Sequence, residues 1–181
     1  MMWTASGKLV DPCALERDIE KVTLYDIAWA LSQTMRWGGH ARPGISVARH
    51  AIACARAAGR KSSRLGLLAL HHDDGEAFFG DMPRDLKSRP EMAWYREQEH
   101  RATEICVRHF APQCQGLALS AVKEVDNGSL LWERANLLPR DKEPTTYLPD
   151  VQPLDDDDFA VTGQDYVAFM QEHLRLSGLC A

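Results

Sequence analysis

The chain has 181 residues, 45% hydrophobic and 26% charged, enough for one domain that buries a full core. Its formal net charge is −5, with Lys and Arg scattered along it, so it has no basic patch of the kind that nucleic-acid binding requires. Its five cysteines form no Cys-x-x-Cys pair, no run is apolar enough to span a bilayer, and residues 1–8 lack a signal-peptide apolar region; a disulfide framework, a zinc ribbon and a membrane partner are excluded, and a reducing cytoplasm is expected.

In chain order, residues 1–22 mix short polar and apolar groups around the breaker Pro12, with no strand pattern. Tyr25 to Met35 reads as a helix, with Ile27, Ala28, Leu31 and Thr34 at helical spacing. Residues 36–44 form a glycine-rich loop, and Ser46 is placed to cap a helix running to about Ala58. A third helix is expected over Ser63 to Phe79, broken by Gly80-Asp81-Met82-Pro83. Pro90 fits the first turn of a long helix ending near Phe110, Leu117 to Leu138 reads as another, and Gln164 to Leu176 as the last. Residues 139–163 are polar, and their acidic run Asp155 to Asp158 reads as a solvated loop. Cys54 and Cys106 fall on apolar helix faces and read as buried thiols. The pattern predicts an all-α bundle of roughly five to seven helices, with a core over about 24–138 and a C-terminal acidic loop and helix over 139–181.

The chemistry concentrates between His71 and Lys87, where His71-His72-Asp73-Asp74-Gly75-Glu76 follows a buried apolar run and precedes Asp81 and Lys87. Ionisable groups are costly inside a protein unless paired or bound to metal, so this density predicts a metal site. On a helix His72 and Asp73 point about 100° apart and can share one ion only near the helix end, with further ligands from other helices. His50 and Asp126, each a polar residue inside an apolar-periodic segment, are the candidates; a hydrogen-bonded core histidine and a capping or salt-bridged aspartate are the plain alternatives.

Four blocks carry a more specific pattern: Arg36-Trp37; Ser46-Val47-Ala48-Arg49-His50; His72-Asp73-x-x-Glu76-x-x-x-Gly80-Asp81-x-Pro83-x-x-x-Lys87; and Val122-Lys123-x-x-Asp126. In them the chain resembles the HD-domain metal-dependent phosphohydrolases, in particular the branch of bacterial 5′-deoxynucleotidases and phage deoxynucleoside triphosphohydrolases such as the dATPases. The resemblance implies one divalent ion held by His50, His72, Asp73 and Asp126. Such nitrogen and oxygen ligands suit Mn, Co, Fe, Ni or Zn, with Mg a further option. It also implies a deoxynucleotide substrate hydrolysed by metal-activated water, a homo-oligomer, and a bacterial or, for a phage protein, host cytoplasm.

By the same resemblance Glu76 is catalytic, orienting water or moving a proton; it is expected on the helix of Asp73, one turn along. Asp81 is implicated in proton transfer and Lys87 in binding phosphate and transition-state charge. Arg36 and Trp37 belong to the substrate pocket, where the tryptophan helps exclude a ribose 2′-hydroxyl, and the Gly38-Gly39-His40 loop, Gly39 included, shapes the base site. A turn-forming Asp81, an exposed Glu76, a solvated Lys87 and a core-edge Trp37 are the bland alternatives. Arg49 and Asp74 depart from the branch, which commonly has Glu or Gln and Ala there, and are candidates to pair with each other across adjacent helices. His71 has no assigned role. Monophosphate and triphosphate substrates would use the same residues; another HD-type phosphodiesterase and a non-catalytic nucleotide-binding scaffold are the alternatives.

Overall fold

The computed structural model describes residues 1–138, 151–161 and 163–179. Its α-helical segments there are α1 (Leu15–Asp18), α2 (Leu24–Gln33), α3 (Val47–Gly59), α4 (Ser63–Leu70), α5 (Glu76–Phe79), α6 (Arg84–Lys87), α7 (Ala93–Phe110), α8 (Lys123–Leu137) and α9 (Asp165–Ser177). The protein is all-α, as its periodicity predicts. The addition is a small antiparallel hairpin of β1 (Met2–Trp3) and β2 (Leu9–Val10), too short to show as alternation in the sequence. Among the described residues no helix is long and apolar enough to cross a membrane.

Local chemistry explains where the helices begin. Thr23 and Asp26 form a reciprocal capping box at the start of α2. The Ser46 hydroxyl accepts the Arg49 amide at the start of α3, and Ser62 does the same for Leu65 at α4. Helix α3 is the centre of the bundle: its alanines and Cys54 are buried on nearly every side. The small side chains let α4 lie close, and a Cβ on Gly66 would come within 2.9 Å of the Gly59 Cα. Phe169 and Leu176 bring α9 into the same core.

Four expectations are corrected. The helix expected over Ser63 to Phe79 is two helices, because α4 ends at Leu70 and residues 71–75 form a turn before α5. Glu76 therefore does not share a helix with Asp73. The acidic run is not a solvated loop throughout: Asp156–Phe159 is a 3-10 helix whose Asp158 is buried and accepts from the two terminal guanidinium nitrogens of Arg60 at 2.6 and 2.9 Å. Arg49 does not pair with Asp74; it reaches Asp165 at the start of α9 at 2.8 Å. The 139–150 part of the expected C-terminal acidic loop lies outside the described residues.

Asp74 instead accepts from His71 Nδ1 at 2.7 Å, and His71 Nε2 meets His173 Nδ1 of α9 at 2.9 Å. Burial, reinforced by His71, pushes the His173 pKa down to about 4. The unfolded chain takes up this proton near pH 6.5. Stability from neutral His173 is therefore complete above that pH and is lost as the pH falls towards 4. Urea unfolding is expected to show a loss of about 2 kcal/mol between about pH 7 and pH 5 that His173→Gln no longer shows. An equal loss in the variant would place the titration elsewhere.

Candidate metal centre and adjoining cavity

The turn at residues 71–75, the middle of α3 and the first turn of α8 converge. His50 on α3 and His72 in the turn bring their Nε2 atoms to 3.4 Å of each other. Asp73 Oδ2 lies 3.4 Å from each of these nitrogens. Asp126 Oδ1 of α8 lies 3.4 Å from His50 Nε2 and 3.8 Å from His72 Nε2. Donors about 2.1 Å from a common ion stand about 3.0–3.4 Å apart at octahedral or tetrahedral angles, so the set is close to a coordination shell. Cys54, one turn after His50 and fully buried, adds a sulfur 3.7 Å from His50 Nε2. His50, Cys54 and His72 form a group that could hold a metal ion. Cys54 is the buried thiol its apolar helix face predicts, and its four-residue spacing from His50 puts both on one helix face.

Each histidine has its other nitrogen occupied. His72 Nδ1–H donates to the Ala69 carbonyl at 2.7 Å. His50 Nδ1 lies 2.8 Å from Glu133 Oε1, and an ionised carboxylate can only accept, so Nδ1 carries the hydrogen. Burial works against charge on Glu133, but Arg36 and His50 overcome it and hold its pKa at about 2. In the neutral rings both Nε2 lone pairs then face the same small space.

Charge in this space is unbalanced. Burial opposes ionisation of Asp73 and Asp126, yet the two histidines hold both carboxyl pKa values down, Asp126 the more strongly. Burial likewise opposes protonation of His72, but Asp73 and Asp126 raise its pKa to about 9. The His50 pKa is also raised, against burial and Arg36, by Cys54, Glu133 and Asp126. Two carboxylates facing two imidazoles call for positive charge between them, supplied by protons or by a cation. The donor chemistry, spacing and charge all fit a divalent ion.

A cavity of about 530 Å³ opens beside the cluster, lined by Arg36, Trp37, Asp73, Glu76, Asp81, Lys87 and Asp126 among others. Glu76 is buried and its Oε2 has no hydrogen-bond partner. Burial, with Asp73 and Asp81 nearby, raises its pKa well above the ordinary carboxyl range. Asp81 is raised as well, chiefly by burial. Lys87, at the end of α6, bonds Glu99 at 2.7 Å and lies 3.7 Å from Glu76; these acids keep its pKa raised against burial. Glu76 and Lys87 are thus neither exposed nor freely solvated. Tyr95 Oη donates to the Gly80 carbonyl at 2.6 Å and anchors the segment carrying Asp81. Gly39, expected in the substrate pocket, is not among the residues that line this cavity.

Arg36 and Trp37 do not close α2, which ends at Gln33; they sit in the 3-10 turn Arg36–Gly39. Trp37 has φ 60°, the left-handed region, which is costly for a side chain of this size. Its indole Nε1–H donates to Glu133 Oε2 at 2.8 Å, and Arg36 Nε donates to the same oxygen at 2.9 Å. Glu133 belongs to none of the four sequence blocks. The available signal was its position seven residues after Asp126, two turns along α8 on nearly the same face.

A larger cavity of about 660 Å³ lies between α7 and residues 111–120; it is mainly apolar and contains none of the predicted site residues. Scanned against protein-family models the chain matches none, and among curated proteins none is significantly similar.

Proposed function

We propose that this protein is a metal-dependent phosphohydrolase acting on deoxynucleotide 5′-phosphates. The observation that carries the reading is the pair of imidazole Nε2 atoms 3.4 Å apart, each ring tied down through Nδ1, with Asp73 and Asp126 closing the group. His50, His72, Asp73 and Asp126 would hold one divalent transition ion. Two imidazoles, with a thiol 3.7 Å from one of them, favour Mn, Co, Fe, Ni or Zn over Mg. Such an ion, when bound, supplies Lewis acidity at a phosphate oxygen and lowers the pKa of water.

The remaining roles follow from what each side chain offers. Arg36 and Lys87 are cations on the cavity wall and bind phosphate oxygens, Arg36 through its terminal nitrogens because its Nε is taken by Glu133. Glu76 presents an oxygen with no hydrogen-bond partner and a raised pKa, which suits a group that orients water and exchanges its proton. Asp81, raised in the same direction and on the cavity wall, would pass a proton to the leaving oxygen. Trp37 lines the cavity and, as the resemblance implies, would meet the sugar. The resemblance to the HD-domain phosphohydrolases supports the substrate class through its motifs alone.

The test is release of inorganic product from dAMP and from dATP by protein loaded with Mn²⁺ or Co²⁺. Phosphate from dAMP identifies a 5′-nucleotidase, and triphosphate from dATP identifies a triphosphohydrolase. Glu76→Gln is expected to lower kcat by about 10²–10⁴-fold while metal content is unchanged. Loaded wild-type protein that hydrolyses no nucleotide would sink the proposal.

A further inference from the structure

We infer that Glu133 is a positioning residue that ties the metal centre to the substrate pocket, so that one buried carboxylate sets both metal affinity and nucleotide affinity. The inference rests on the proposed metal-dependent reading of the site. Glu133 is fully buried, and its two oxygens accept from four different side chains. Oε1 takes His50 Nδ1–H at 2.8 Å and the Ser129 hydroxyl at 3.0 Å. Oε2 takes Arg36 Nε–H at 2.9 Å and Trp37 Nε1–H at 2.8 Å. One oxygen thus faces a metal-binding imidazole and the other faces the two residues that wall the cavity.

Three consequences follow. A carboxylate on Nδ1–H fixes the tautomer and plane of His50, leaves Nε2 as the donor, and raises its basicity. The same carboxylate engages Arg36 through Nε, which leaves the terminal nitrogens for phosphate and for Asp73, 3.9 Å from Nη1. It also gives Trp37 a bond that offsets its left-handed backbone. Turning His50 to meet an ion, or Arg36 to meet phosphate, moves the one group they share. Binding at either site therefore biases the other, and the coupling is reciprocal.

Glutamine is the informative replacement. It keeps the shape, loses the charge, and has one accepting oxygen where Glu133 uses two; its NH₂ must face a donor on one side or the other. Calorimetric titration with Co²⁺ alone is expected to show affinity about 10–100-fold weaker in Glu133→Gln than in wild type. With dAMP or dATP, whichever is turned over, KM is expected to rise in Glu133→Gln and to stay raised at Co²⁺ concentrations that restore kcat. Trp37→Phe removes the indole donor along with part of the ring and is expected to raise KM, with a smaller change in Co²⁺ affinity than Glu133→Gln gives.

A folded Glu133→Gln that binds Co²⁺ as tightly as wild type, whatever its melting temperature, overturns the inference and leaves Glu133 a packing residue. Should Glu133→Gln not fold, Glu133→Asp applies the same test, because the shorter carboxylate cannot span His50 and Arg36 together; wild-type Co²⁺ affinity and KM in that variant overturn it equally. Wild-type protein that binds Co²⁺ but hydrolyses no nucleotide removes the proposed function and leaves the Co²⁺ comparison standing. Wild-type protein that takes up no Co²⁺ overturns both.

Discussion

Replacing His72 with alanine is expected to abolish stoichiometric metal uptake and nucleotide hydrolysis together, while the helical content of the protein persists. His72 Nε2 is the atom that closes the donor group, within 3.4 Å of both His50 Nε2 and Asp73 Oδ2. Losing a group that merely orients a ligand costs about 10–100-fold in metal affinity, so losing the ligand costs more. Ring and proton must also be separated. The His72 pKa of about 9 means that an ion has to displace a proton from this ring at neutral pH. Co²⁺ affinity is therefore expected to rise with pH below about 9, by about tenfold per unit for each proton displaced. Elemental analysis after dialysis, and Co²⁺ titrations across that range, measure both effects. Full metal content in His72→Ala, or an affinity flat with pH, would show that the cation sits elsewhere.

Gly75→Ala is expected to be the most destabilising single methyl addition near the site. A Cβ there would stand 2.3 Å from the Glu99 carbonyl oxygen and 2.6 Å from Thr103 Oγ1. The first of these belongs to the backbone of α7 and cannot rotate away. The Gly75 amide also donates to Thr103 Oγ1 at 3.0 Å, so the added methyl separates a bonded pair. Overpacking of this kind costs about 1–3 kcal/mol, and the lost bond adds about 1 kcal/mol. For a chain of this length each kcal/mol lowers the melting temperature by about 2–4 °C, so a drop of roughly 5–15 °C is expected in a thermal melt. Because Gly75 ends the turn carrying His72 and Asp73, Co²⁺ affinity should fall in the same variant. A melting temperature within about 1 °C of wild type would mean that α7 gives way without cost.

Much of the architecture was legible in the sequence. Ser46 as a cap, the helix after Pro90 and the last helix from about Gln164 all follow from local signals, because caps and helical periodicity act within a few residues. The misread segments are those where tertiary contacts outweigh local preference. Residues 71–75 continue a helical pattern, yet the chain turns there, with His71 and Asp74 drawn into a buried pair and Gly75 against α7. Asp158 looked like one of four solvated aspartates until Arg60, far away in sequence, took both its oxygens.

The identities of the donors were present in the chain: two imidazoles, several carboxylates and a thiol, with His50, Cys54 and Asp126 on helices that periodicity supports and His72 and Asp73 in a turn that it does not show. Local pattern carries no information about how α3, the 71–75 turn and α8 are placed relative to one another. That placement depends on the packing of small residues such as Gly59 and Gly66 and on the docking of α9, both of them long-range. Only the tertiary structure brought His50, His72, Asp73 and Asp126 within 3.8 Å contacts, set Cys54 beside them, and turned Glu133 from one more helical glutamate into the shared acceptor of His50, Arg36 and Trp37. A buried carboxylate is tolerated only where its partners converge on it, and that convergence is a property of the fold.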